Sequence, residues 1–184
     1  MAFNINELRS QLTLGGAKQS LFQIQITNPA NGIADIKVPF MAKGASLPSS
    51  RVSLIQAPYF GRKIKLAGDR TFDPWTVTII NDEDFLIRNA MESWLSSINS
   101  HQGNITSFSS ASPLQYKSQA QITQFSKTGA PLRVYAFNGL FPIEVSQIDM
   151  GWEASDAIEE FTVTFEYDWW NIISGVTGDG GTNA

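Results

Sequence analysis

"EEFTVTFEYDWW", from Glu159 to Trp170, decides how the rest of the chain is read. Phe161, Val163, Phe165, Tyr167 and Trp169 fall on one side of an extended backbone. Glu160, Thr162, Thr164, Glu166 and Asp168 fall on the other. Successive strand side chains point to opposite faces, so this two-residue period means a strand with one face on a core and one in water. One-sided strands belong to antiparallel sheets, because parallel sheets are covered on both faces. Trp169 continues the apolar stripe, and Trp170 is expected to cap a sheet edge or an interface.

Working outward, Phe22, Ile24 and Ile26 alternate with Gln23, Gln25 and Thr27 in a second half-buried strand. Residues 28–32 (NPANG) form a turn cluster, and Ile36, Val38 and Phe40 suggest a returning strand. Residues 43–58 are rich in Ser and Pro and read as a long, partly extended loop. Gly61–Leu66 and Phe72–Ile80 read as strands, with Gly68-Asp69 as the turn of a hairpin between them. Pro74 cannot donate to a ladder and so belongs at a strand start or edge. Asn81 or Asp82 would cap a helix with Glu83 and Asp84 in its first turn. Phe85, Leu86, Ala90, Met91, Trp94, Leu95 and Ile98 then recur at helical spacing, giving one amphipathic helix over about 82–100. Residues 103–115 read as a loop, 116–126 as a strand, and 133–151 as one or two more.

The sum is a mainly β fold, an antiparallel sandwich or barrel with one flanking helix and an extended loop. It is expected as a single domain over 1–184, with an N-terminal arm (1–20), a β-domain (21–171) and a flexible tail (172–184). Ile5, Leu8 and Leu12 mark a short helical patch in the arm.

Composition narrows the function. Charged residues make up 16% of the chain, against roughly 25% in an average soluble domain. A surface poor in charge suits a protein that hides much of itself in an assembly. The net charge of −4 gives no overall basic footprint for nucleic acid. With no cysteine there is no disulfide, thiol nucleophile or thiolate metal site. No apolar run approaches the roughly 20 residues that span a bilayer, so membrane insertion of the monomer is not expected. The first 20 residues lack a signal-peptide pattern, and assembly in the cytoplasm is expected.

No catalytic constellation emerges, and neither an enzymatic activity nor a cofactor is expected. His101 is the lone histidine, at a helix end, with no second His or Cys to complete a metal site. Asp82-Glu83-Asp84 lacks the alternating ligand spacing and turn glycine of a calcium loop. LGGAKQS at 14–20 lacks the phosphate-loop spacing.

The densest charge lies between Tyr59 and Asp84. In GRKIKLAG, Arg62 shares a face with Ile64 and Leu66, while Lys63 and Lys65 project together from the other. Lysines on an exposed strand guard against edge-to-edge aggregation, and they serve equally as half of an inter-subunit charge match. Asp69, Arg70 and Asp73 are expected at or just past the turn, pairing with each other or across an interface.

This stretch also carries a resemblance. "GRKIKLAGDRTFDPWTVTIINDEDFLIRNAMESWLSSIN", from Gly61 to Asn99, runs from a basic strand through G-D-R-x-F-x-x-W into a capped helix. It closely resembles the tail tube proteins of contractile-tailed bacteriophages. "LFQIQI", "SLP" at 46–48, "YKSQAQITQFSKTG" and "FNGLFPIEVSQIDMGWEASDAIEEFTVTFEYDWW" fit the same family in the same order, over roughly 20–171.

The resemblance implies a structural virion protein whose hexameric rings stack into a hollow tube inside a contractile sheath. Its partners would be further copies of itself, the sheath protein, a baseplate or tube initiator and a tail terminator. Tape measure protein and genomic DNA would occupy the lumen, which serves DNA ejection. Inner tubes of type VI secretion and extracellular contractile injection systems look like the same fold and are the nearest alternatives.

The inter-subunit residues are then expected to include Arg51, Tyr59, Arg62, Lys63, Lys65, Asp69, Arg70, Asp73 and Trp170. Lumen-facing residues are expected to be Gln119, Gln121, Glu160, Thr162, Thr164, Glu166 and Asp168, on strand faces that also carry Gln23, Gln25 and Lys117. A different class, a carbohydrate-binding β-sandwich, would use Trp152, Trp169 and Trp170 as its platform.

Overall fold

Trp75 stacks on Phe137 with ring centroids 4.3 Å apart and planes inclined by 23°. The fold is what brings those rings together. The computed structural model describes residues 5–108, 112–153 and 156–183. Residues 1–4 of the expected arm, 109–111 of the expected loop, and 184 of the expected tail lie outside the described residues.

The strands are β1 (Phe22–Ile26), β2 (Ala42–Ala45), β3 (Arg51–Tyr59), β4 (Arg62–Thr71), β5 (Trp75–Ile80), β6 (Ser118–Phe125), β7 (Pro131–Val145), β8 (Glu160–Glu166) and β9 (Trp169–Ser174). The helices are α1 (Ile5–Gln11), α2 (Val38–Met41), α3 (Leu86–Ile98) and α4 (Pro113–Tyr116). Seven strands pair in the order β1-β6-β7-β8-β5-β2, with β9 also on β7. Every pairing is antiparallel.

The fifteen-residue β7 is the corner of the fold. Its first part pairs with β6 and β9, and its end, from Phe141, pairs with β8. Between them Gly139 takes φ +69, and the register to β6 shifts nearby. A positive φ and an unpaired residue bend a strand and raise its twist. The sheet therefore folds into two layers, β1-β6-β7-β9 and β7-β8-β5-β2, and the result is a sandwich rather than a closed barrel.

The inner faces interdigitate. Ile24, Ile122, Tyr135 and Ile172 form one cross-strand row, while Trp75 faces Phe165, and Val77 faces Val163. All are buried. Helix α3 adds Ile87, Ala90, Met91 and Trp94 to the same core. Each large side chain so buried contributes about 1.5–3 kcal/mol before entropy is counted.

Several expectations are corrected. Residues 51–59 form a strand rather than part of a loop, and they pair with β4 around a turn at Phe60-Gly61. Gly68-Asp69 is not a turn, so Asp69 and Arg70 lie within β4. No strand forms over 36–40. Asn28 fixes the preceding turn by donating its amide to Ala90 O and accepting from the Ala30 and Asn31 N–H groups. Val38 enters the core in α2 while Ile36 and Phe40 face outward. Helix α3 starts later than expected, because Phe85 takes φ +51 and Asp84 Oδ1 accepts the Leu86 N–H. The 159–170 segment breaks at Tyr167-Asp168 into β8 and β9, which turns Trp169 outward. Strand β9 runs past the expected end of the β-domain, and Asn183 donates to Ile172 O.

Candidate assembly surfaces

Strands β3 and β4 pair only with each other, and neither contributes a buried residue. Their turn holds Phe60 and Gly61 at φ 43 and 80, the two positive values that a two-residue hairpin turn of matched twist requires. Phe60 is 93% exposed.

The register sorts the arm into two faces. Ile55 pairs with Leu66, Ala57 with Ile64 and Tyr59 with Arg62, so one face is apolar with Arg62 near the tip. Leu54 pairs with Ala67, Gln56 with Lys65 and Pro58 with Lys63, so the opposite face is basic. Ile55, Ile64 and Leu66 stay half exposed with no core beneath them. A two-stranded hairpin without a core is at best marginally stable alone, and a contiguous exposed apolar face marks an interaction surface.

A bulge lies midway. Val52 faces Arg70 and Leu54 faces Ala67, so Ser53 stands against two residues, Gly68 and Asp69. A Cβ at Gly68 would lie 2.5 Å from Ser53 Oγ and 3.0 Å from Ile55 Cγ1, so this close approach favours glycine. At the base, Ser49 Oγ donates to Asp73 Oδ2 at 2.8 Å, and Arg51 Nη2 lies 3.7 Å from the same carboxylate. Trp170 packs at 5.7 Å from Tyr135 and donates its indole N–H to Ser49 O. The structure thus gathers Arg51, Asp73 and Trp170 at the base, Asp69 and Arg70 at the bulge, and Tyr59, Arg62, Lys63 and Lys65 towards the tip. Sequence reasoning missed Ile55 and Phe60. The apolar residues Val52, Leu54 and Ile55 before Pro58 and the Phe-Gly pair were the available signals.

The outward faces of the sandwich are polar. Gln25 pairs with Gln121, Gln23 with Thr123 and Gln119 with Asn138 on the first layer. On the second, Thr164 pairs with Thr76 and Glu144, and Thr162 with Thr78. The seven lumen candidates divide accordingly. Gln119 and Gln121 lie on the first layer, and Glu160, Thr162, Thr164 and Glu166 on the second. Asp168 stands at the junction, where Lys117 Nζ meets its oxygens at 2.6 and 2.8 Å. Lys43 pairs with Glu160. Among the described residues, Glu166 has no ion-pair partner.

Elsewhere the charges are structural. Lys37 bonds both Asp82 and Asp84, which holds the two carboxyls below their ordinary range and raises the ammonium. Burial pushes Asp35 up despite the Asn28 N–H that it accepts. Burial also pushes the Tyr167 phenol up to about 12, assisted by the negative Asp73 and Glu166. Among the described residues, no group of three His, Cys, Asp or Glu is placed to hold a metal ion. No helix among them is long and apolar enough to cross a membrane.

Comparison with known proteins follows the same lines. A family model described as phage tail tube protein matches residues 11–173. The tail tube protein gp19 of Enterobacteria phage T4 is 33% identical over 155 residues, covering 84% of this chain and 90% of that protein. The tail tube protein of Serratia phage KSP90 is 25% identical over 168 residues, 89% of this chain and 93% of that one. Among solved structures, the anti-feeding prophage tube-terminating cap superposes with a TM-score of 0.61 at 16% identity, covering 86% of this chain and 91% of that one. A chain of the PVC extracellular contractile injection system sheath–tube complex gives 0.56 at 13% identity, covering 95% and 100%. These last two likenesses are of fold.

Proposed function

This chain belongs to the phage tail tube protein family, and we propose that it assembles into hexameric rings that stack into a hollow inner tube. It is a structural component of a contractile phage tail, and so of the virion, and not an enzyme. In the proposed assembly, residues 1–184 act as one tube domain, with its arm and tail reaching to neighbours. A contractile sheath surrounds the tube, a baseplate initiator starts it and a terminator ends it. The bore holds tape measure protein and then conducts DNA, and assembly takes place in the host cytoplasm.

One observation carries this reading. The β3–β4 hairpin exposes an apolar face on Ile55, Ile64 and Leu66 that its own chain leaves uncovered. Neighbouring copies would cover it, making Arg51, Tyr59, Arg62, Lys63, Lys65, Asp69, Arg70, Asp73 and Trp170 inter-subunit residues. Ring closure would also bury the free edges of β1 and β2, the end strands of the folded sheet. The polar outer face would line the bore, where Gln and Thr let a polyanion slide without adhering. Its acids are partly offset by Lys43 and Lys117.

Negative-stain microscopy of the purified protein tests the reading. Uniform tubes or six-fold rings are expected. A monodisperse monomer at high concentration would overturn it.

A further inference from the structure

The connection from β7 to β8 bounds an open groove of about 590 Å³, lined by Ile148, Met150, Trp152 and Ile158 together with Asp149 and Glu159. Trp152 is fully exposed, and Met150 and Ile158 nearly so. Asp149–Glu160 carries five acids, at 149, 153, 156, 159 and 160, and no base. The hairpin is its counterpart in charge. Residues 51–71 hold five of the thirteen basic residues of the chain against a single acid, Asp69. Each surface is exposed and apolar; the hairpin is rimmed mainly by cations and the groove mainly by carboxylates, of which Glu160 is already paired with Lys43.

We propose that the β3–β4 hairpin of one copy docks in the groove that residues 147–152 and 157–160 line on a second copy. The proposal rests on the tube reading and names the surface that receives the hairpin. Ile55, Ile64 and Leu66 cover Trp152 and the groove's Ile148, Met150 and Ile158. Arg62, which shares the apolar face, and Lys63 and Lys65 across the arm supply cations for the acidic rim. Opposite potentials on the two surfaces speed encounter and fix orientation.

The geometry also has a consequence for symmetry. Hairpin and groove are different surfaces, so their contact is heterologous. Each docking event leaves one free hairpin and one free groove, and a heterologous contact that does not close on itself propagates without limit. That is the form of contact by which rings stack.

The absence of cysteine makes the test clean. One chain carries Ile64→Cys and another Met150→Cys, both at exposed positions, and each is diluted into wild-type protein under assembly conditions. A short bis-maleimide is then added to the mixture of both. Covalent dimers are expected at least tenfold above those from either variant alone. Tubes with no excess of mixed dimer would overturn the docking and leave the tube reading standing. Absence of tubes from the wild type would sink the tube reading, while the dimer yield would still decide the docking.

Charge reversal gives a second arm. Lys63→Glu with Lys65→Glu should lower tube yield at least tenfold, and adding Asp149→Lys and Glu153→Lys to the same chain should restore it. A four-site variant that is folded by circular dichroism yet assembles no better than the two-site variant would overturn the charge pairing.

Discussion

Lys117 Nζ lies 2.6 Å from Asp168 Oδ1, tying the start of β6 to the short link between β8 and β9. Asp168 in turn sits over Gly139, where a Cβ would meet its Oδ2 at 2.1 Å. Its backbone N–H donates to Asn138 O. The corner of the sandwich is therefore held by one glycine and one carboxylate.

The pair and the glycine should differ in weight. The side chains of Lys117 and Asp168 are 23% and 52% exposed, so Lys117→Met or Asp168→Asn should cost no more than about 1 kcal/mol. Gly139→Ala forces a β-carbon into a positive-φ site already occupied, and should cost about 1–3 kcal/mol. Urea unfolding of the monomer measures both, and a Gly139→Ala chain as stable as the parent would refute the corner.

Trp75 joins the layers by stacking on Phe137 and by donating its indole N–H to Ser46 O at 2.9 Å. Trp75→Ala should cost about 3–5 kcal/mol. Trp75→Phe keeps a ring in the stack but strands the Ser46 carbonyl, at about 1–3 kcal/mol. Equal losses from the two would show that the stack contributes nothing.

Tyr167 should set an alkaline limit. Its folded pKa of about 12 lies above the ordinary 10, so the native state holds a proton that the unfolded chain releases between those values. Stability should stay flat below pH 10 and fall by roughly 2–3 kcal/mol as pH approaches 12. Its hydroxyl has no partner among the described residues, so Tyr167→Phe should flatten the fall at little cost near neutrality. An unchanged alkaline profile in that variant would remove Tyr167 as the cause.

The hairpin should matter to assembly and not to folding. Ile55→Asp with Ile64→Asp, and separately Asp69→Ala or Arg70→Ala, should shift monomer stability by only about 0.5 kcal/mol. Tube formation by microscopy should drop in each. Normal tubes from all three would free this arm from any interface.

Bore charge should govern passage. Glu160, Glu166 and Asp168 changed together to Lys should slow or trap DNA in ejection assays. Glu166→Lys is the cleanest single test, since Glu160 and Asp168 already have lysine partners. Comparing Gln121→Lys with Thr164→Lys separates the two layers. Unchanged ejection from intact tails carrying each of these in turn would place the bore elsewhere.

The fold was legible where periodicity was strong. The alternations of β1, β5 and β8 predict core positions such as Ile24, Ile26, Trp75, Val77, Ile79, Phe161, Val163 and Phe165, and the apolar stripe of α3 predicts Ala90, Met91 and Trp94 but misses Ile87 and wrongly includes the exposed Phe85. It was illegible where a strand buries nothing. Strand β3 has apolar residues on both sides and no core beneath it, so two-residue patterning had nothing to report. Gly68-Asp69 misled because a bulge and a turn make the same demand for a residue without a β-carbon. The helix start misled because three consecutive acids offered several caps, and Lys37, distant in sequence, fixed which were used. The faces of Arg62, Lys63 and Lys65 were legible from alternation alone, whereas the pairing of Asp73 with Ser49 needed the fold.

Only Phe72, Asp73 and Pro74 separate β4 from β5. The proline ring fixes one backbone angle of that short link, and Trp75, the next residue, is stacked on the corner strand. A push on the hairpin tip therefore has almost no slack to take up before it reaches β7, which is covalently part of both layers. The layers cannot shear without unstacking Trp75 or straightening Gly139. In mechanical terms the arm is a lever rooted in the keystone of the fold, so a load applied at its tip is carried by both layers at once.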